Sequence, residues 1–158
     1  MDILFARRYK YTTHNSVDDV HADIESILNR RWYDFSVNMT GRFKSDRSFT
    51  LTHKWSFAII RWIETSPAYI NGTLTSKENK TIIETSVRPN SALVVIFYLM
   101  IVLFLIELFG RSMFAGGSKT FTLIFFPAFD LILFGLMHLF TTGLRNRFER
   151  LLRIKSDE

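Results

Sequence analysis

Two apolar stretches, Ala92 to Phe109 and Thr120 to Thr142, constrain everything else this chain can fold into. A helix crosses a hydrocarbon core about 30 Å thick with about 20 apolar residues, and about 17 is the lower limit. Both stretches meet that length. The remaining chain is too small to bury two such helices in a soluble fold. Residues 91–109 and 120–142 therefore read as transmembrane helices. The connecting loop, 110–119, contains glycine and is short, so the two form an antiparallel hairpin. Pro127 predicts a kink in the second helix.

Asp130 lies in the middle of the second stretch. A carboxylate at the centre of a spanning helix costs roughly 2.5–3.5 kcal/mol on insertion scales. Three roles are open to it: a hydrogen bond within the hairpin or an oligomer of it, contact with a polar group of a partner subunit, or passage of an ion or proton. At 1.5 Å per residue Asp130 lies about 15 Å from the outer end, and Tyr98, at about 17 Å, is the polar residue of the first helix nearest in depth. A Tyr hydroxyl donates readily to a carboxylate. The expectation is that Tyr98 and Asp130 face each other inside the hairpin or across an interface. Glu107 is near the outer end and His138 near the inner end, so both are expected to be interfacial and solvated.

Residues 1–90 read as a small α+β domain. Ile3, Phe5, Tyr9 and Tyr11 share one face of a strand with Arg7. Ser16 followed by Asp18 and Asp19 opens a helix, because a serine cap and early acids suit the unpaired N–H groups of its first turn. Val20, Ile24, Ile27 and Leu28 make its apolar stripe, and Arg30 and Arg31 sit at its end. Alternation over Tyr33 to Phe43 and Phe49 to Trp55, an apolar run from Phe57 to Ile63, and segments at Tyr69 to Leu74 and Thr81 to Val87 give five more strands. The order is β-α-β-β-β-β-β: an antiparallel sheet packed on one helix, of helix-grip or PH-like type.

The chain carries a formal net charge of +5. Lys77, Lys80 and Arg88 precede the first helix, and Arg145, Arg147, Arg150, Arg153 and Lys155 follow the second, against Arg111 and Lys119 in the loop. Basic residues favour the cytoplasmic side, so both termini are expected there. The excess reads as topology and attraction to anionic lipid, not as nucleic-acid binding. After Gly143 a basic amphipathic tail, 143–158, carries Leu144, Phe148, Leu151 and Leu152 at helical spacing. It either lies on the bilayer with Arg145, Arg147, Arg150 and Arg153 at the membrane surface, or docks on the sheet domain or a partner.

Catalytic and cofactor signatures are missing. With no cysteine there are no thiolate ligands or nucleophiles. His14, His21 and His53 are scattered over a loop, a helix and a strand, and no phosphate-binding glycine loop occurs. Trp32, Trp55 and Trp62 suit a core or a pocket between helix and sheet. The opening Met-Asp-Ile-Leu-Phe-Ala-Arg-Arg is too short an apolar run for a signal-peptide core. Sequons at Asn38, Asn71 and Asn79 read as chance.

The segments Phe43, Phe49-Thr50-Leu51, Pro67-Ala68-Tyr69-Ile70-Asn71-Gly72, Thr81-Ile82-Ile83 and Arg88-Pro89-Asn90, followed by an apolar span, resemble small bacterial membrane proteins with a cytosolic sheet domain just before their spanning helices. The resemblance implies that architecture and no particular chemistry; a bacterial inner membrane is the expected location because no targeting signal is seen. The leading expectation is a non-enzymatic accessory or assembly subunit of an inner-membrane complex, without cofactor, partnered by the bilayer and by other membrane subunits or its own copies. The alternative is a ligand-sensing effector whose sheet domain binds a small anionic signal and whose hairpin oligomerises to permeabilise the membrane. A lipid-handling domain is a third reading.

Overall fold

The computed structural model describes residues 5–29, 38–54, 66–78, 80–109 and 119–157. It is α+β, with a five-stranded antiparallel sheet and three helices among those residues. The expectations for Ile3, Arg30, Arg31, the strand start at Tyr33, the Phe57–Ile63 strand, Asn79, the three tryptophans and the inter-helix loop with Arg111 lie outside them.

Strand β1 (Arg7–Thr13) leads to α1 (Val17–Leu28), β2 (Met39–Ser45), β3 (Ser48–His53), β4 (Ala68–Lys77) and β5 (Lys80–Pro89). The sheet order is β1-β5-β4-β3-β2, so α1 carries the chain from one edge to the other. Ser16 caps α1 as its sequence implies. Its hydroxyl accepts from the Asp19 N–H at 3.1 Å, and the Asp19 carboxylate accepts from the Ser16 N–H at 3.2 Å. Val20, Ile24 and Ile27 are the buried stripe. Lys77 pairs with Lys80 across a tight turn in which Glu78 takes φ 50°.

Alternation sets the two sheet faces. Tyr9, Thr85, Gly72, Phe49 and Phe43 stand side by side across all five strands, on the face that also buries Tyr11, Ile83, Leu74, Ile70 and Leu51. Phe49 needs Gly72 beside it: a Cβ there would come within 2.2 Å of the Phe49 ring.

Helices α2 (Ser91–Phe109) and α3 (Lys119–Leu152) are each long and apolar enough to cross a membrane. They pack on each other as a hairpin. The division expected at residue 143 is not a structural break. At 34 residues α3 is about 51 Å long, far more than the roughly 30 Å of a hydrocarbon core. Its last turns continue over the apolar face of the sheet. Leu144 and Phe148 are fully buried there, with Leu151 and Leu152 partly so. The amphipathic pattern of the tail thus matches the sheet's own apolar face. Helix α3 lies against β4 and β5, α1 lies against β2, and α1 touches α3.

Helix α3 ends in a Schellman motif. Arg153 takes φ 53° and the Ile154 N–H reaches the Glu149 carbonyl at 3.0 Å. The chain then turns back along the edge strand β1, where the Asp157 N–H donates to the Lys10 carbonyl at 2.9 Å. That bond covers part of an otherwise open sheet edge.

A fragment stopping at Asn90 lacks Leu144 and Phe148. We expect it to show no cooperative unfolding transition. In the full chain Phe148→Ala should lower stability by about 3–5 kcal/mol, and Gly72→Ala by about 1–3 kcal/mol through overpacking. Denaturant titration of the detergent-solubilised protein, followed by tryptophan fluorescence, checks all three.

Candidate functional site

The hairpin faces follow helical periodicity. On α3, Thr122, Phe126, Leu133 and Met137 are buried, and the same stripe continues through Leu144 and Phe148. One helix face therefore packs first on α2 and then on the sheet. On α2 the more enclosed positions include Val94, Phe97, Ile101, Phe104 and Glu107, at steps of three or four, with Val94 and Glu107 buried. The remaining surface is apolar and exposed, including Val95, Leu99, Val102 and Ile106 on α2 and Ile124, Leu131, Ile132 and Leu139 on α3.

Asp130 is half-buried on the enclosed side of α3. Its Oδ1 is buried and takes no hydrogen bond among the described residues. The α2 stripe facing α3 explains why, since it carries only apolar side chains until Glu107. Tyr98 does not fill the gap. It follows Phe97, so its side chain points about 100° further round the helix. It is 40% exposed, and its ring lies 5.6 Å from Phe97 and 6.4 Å from Phe5. Within one chain the Tyr98 hydroxyl and Asp130 Oδ1 are therefore not brought together.

Glu107 departs from its expected solvated position: it is 7% exposed, because it completes the enclosed stripe of α2. His138 is exposed, at the edge of a small cleft with Arg7 and Thr141.

The basic residues after Gly143 divide by face. Arg150 and Arg153 are exposed. Arg145 is half-enclosed, with its guanidinium 4.0 Å from the centre of the Tyr9 ring and its Nε donating to Glu149 Oε1 at 2.7 Å. The same Glu149 oxygen accepts from the Tyr11 hydroxyl at 3.0 Å. Burial, then the Glu149 charge and hydrogen bond, push the Tyr11 hydroxyl up to about 12. Arg147 reaches the Asn38 carbonyl at 3.3 Å. Arg145 and Arg147 thus tie α3 to the first and last strands of the sheet order, beside whatever role they have at a membrane surface.

Sequence reasoning passed over His53. It is buried at the end of β3, and its Nε2 lies 3.1 Å from the Phe140 carbonyl of α3. Taken as N–H donor, it marks the junction where α3 leaves the hairpin for the sheet. Burial holds His53 below its usual 6.5, the Arg147 charge adds to this, and the Phe140 carbonyl opposes it. Only a histidine at the end of a strand's apolar alternation hinted at this place. Phe5 was also missed as a contact: its ring lies 5.5 Å from Phe97 and 6.1 Å from Phe134, touching both hairpin helices.

Among the described residues no cluster of His, Asp and Glu is arranged to hold a metal. The outer sheet face carries an open cradle of about 660 Å³, with Arg8, Lys10, Lys44, Asn71 and Glu84 on its lining. No protein family model matches this chain, and no curated protein or solved structure is similar to it.

Because folded His53 resists protonation, the unfolded chain gains a proton first as pH falls through about 6.5, and stability declines with acidification. His53→Gln keeps an N–H donor and cannot titrate, so its stability should depend less steeply on pH between about 7 and 5. Denaturant midpoints measured across that range check the difference. Tyr11→Phe removes a hydrogen bond to a charged acceptor and should cost about 1.5–3 kcal/mol.

Proposed function

We propose that this chain is a non-enzymatic accessory or assembly subunit of a membrane protein complex, and that its hairpin packs on another membrane subunit, or on a second copy, through the face bearing Asp130. The observation that carries this reading is Asp130 Oδ1, buried and without a hydrogen-bond partner among the described residues. A carboxylate in the apolar zone needs a donor. The hairpin's own α2 stripe offers none at that level, so a basic or hydroxyl-bearing side chain of a neighbouring helix completes the site. The apolar exposed faces of α2 and α3 supply the packing around it.

In this reading the sheet domain and both termini are cytoplasmic, in a bacterial inner membrane, in keeping with the basic residues on that side. The domain is of helix-grip type, with α3 filling the grip. It presents its outer face to the cytoplasm. A second reading, a membrane effector gated by a small anionic ligand, draws support from the basic cradle lined by Arg8, Lys10 and Lys44. It predicts ligand-dependent leakage from loaded liposomes.

Mild-detergent purification at native expression level, with mass spectrometry of what co-migrates, separates the two. Asp130→Leu should weaken retention of the co-migrating membrane subunit, or the homo-oligomer, by about 3- to 30-fold, the range set by intramembrane polar contacts of about 0.6–2 kcal/mol. The unfolding midpoint of the sheet domain should stay unchanged. A complex that survives Asp130→Leu at full stoichiometry overturns the accessory-subunit reading.

A further inference from the structure

Beneath the hairpin, the segment that enters β1 and the inner part of α3 enclose a cleft of about 130 Å³. Its polar side is made by Arg7, His138 and Thr141, and its apolar side by Phe5, Phe134 and Met137. Among the described residues no carboxylate lines it. Arg7 and His138 are both exposed, and neither side chain has a hydrogen bond or ion pair among the described residues. The Thr141 hydroxyl donates back to its own helix, to the Met137 carbonyl at 2.8 Å and the His138 carbonyl at 3.1 Å. The Arg7 and His138 side chains are therefore left to receive a ligand.

We propose that this cleft binds one anionic phospholipid, with Arg7 and His138 on the headgroup phosphate and the first acyl methylenes against Phe5 and Phe134. The chemistry changes across the cleft as it does across a membrane surface. Phe5 stands among Phe97, Tyr98 and Phe134, partway up the hairpin. Arg7, next but one in sequence, is paired with Val87 at the top of the sheet. A ligand spanning the two must be apolar at one end and anionic at the other. The apolar wall also opens sideways, since Phe134 is 49% exposed on the hairpin surface. A soluble phosphate would use the N–H donors of Arg7 and His138 and leave that wall bare. An Arg guanidinium presents several N–H donors in a planar fork that fits two phosphate oxygens at once. The room exceeds the roughly 30 Å³ share of one water in the liquid, so water need not be the only occupant.

The inference rests on α2 and α3 lying in a bilayer, and its test keeps the two apart. The full chain is reconstituted in nanodiscs of phosphatidylcholine with a minor fraction of phosphatidylglycerol, then released for native mass spectrometry. Failure to enter the nanodisc removes the membrane reading itself. Once inserted, wild type should retain one phosphatidylglycerol per chain. Arg7→Gln should retain it about tenfold more weakly, a difference of about 1.4 kcal/mol, and Arg7→Gln with His138→Gln more weakly still. Arg153→Gln, exposed beyond the end of α3, should match wild type. Equal retention by Arg7→Gln, or an equal loss in Arg153→Gln, overturns the site in favour of diffuse attraction. Millimolar inorganic phosphate should leave the lipid in place, and its displacement by phosphate overturns a lipid site in favour of a simple anion site. Circular dichroism of each variant confirms that the sheet domain is intact.

Discussion

The burial of Phe148 between Phe49 and Tyr11 is the contact that makes this one molecule and not two. Its ring lies 5.9 Å from Phe49 and 5.7 Å from Tyr11, and Phe49 continues the contact through Phe43 to His21 on α1. Full burial of a side chain of this size stabilises by roughly 1.5–3 kcal/mol. Here it does so between residues far apart in sequence, so the sheet closes only when α3 has arrived. A five-stranded sheet with one short amphipathic helix leaves much of its apolar face open. The last turns of α3 cover the remainder, so the hairpin and the sheet complete one another.

That closure is reinforced by polar groups that fix the rotation of α3. Glu149 Oε1 receives both Tyr11 and Arg145, and Arg145 lies over Tyr9 and also reaches Ser156 at 3.1 Å. The Arg145–Glu149 ion pair, half-enclosed and still in reach of solvent, contributes little on its own. The Tyr11 hydroxyl matters more, because it is enclosed and its acceptor is charged. Arg147 and His53 hold the other side, at the Asn38 and Phe140 carbonyls. A helix fixed at several points around its axis cannot roll. The direction in which Asp130 points is therefore set by contacts in the sheet domain.

Much of this was legible in the residues. Alternation and turn signals gave β2 to β5 and their antiparallel pairing, and Ser16 with Asp19 gave the start of α1. Length and hydropathy gave both long helices. What was not legible depended on rotation and on distant pairing. Depth along a helix is a simple sum over sequence, and on that sum alone Tyr98 and Asp130 were paired. Which way each points depends on the whole hairpin, and there they part. Likewise, the stripe of Leu144 and Phe148 announced an apolar partner without naming it. A bilayer and a sheet present the same apolar demand to a helix, and only the otherwise uncovered apolar face of the sheet distinguishes them. His53 and Phe5 were hidden for the same reason, since their contacts lie on elements far away in sequence.

The continuity of α3 has a consequence for any complex this chain joins. With no loop between its membrane part and its sheet part, a tilt or rotation imposed on the hairpin is passed to the sheet without slack. A flexible linker would leave the outer sheet face free to sample orientations. Here Arg8, Lys10 and Lys44 on that face hold a fixed position relative to Asp130. In the proposed reading, a partner that engages Asp130 also sets where the basic cradle points. Two weak contacts held in one rigid frame reinforce each other, because the second forms at a high effective concentration once the first is made. In the function proposed above, such a frame would let the chain place one protein against another.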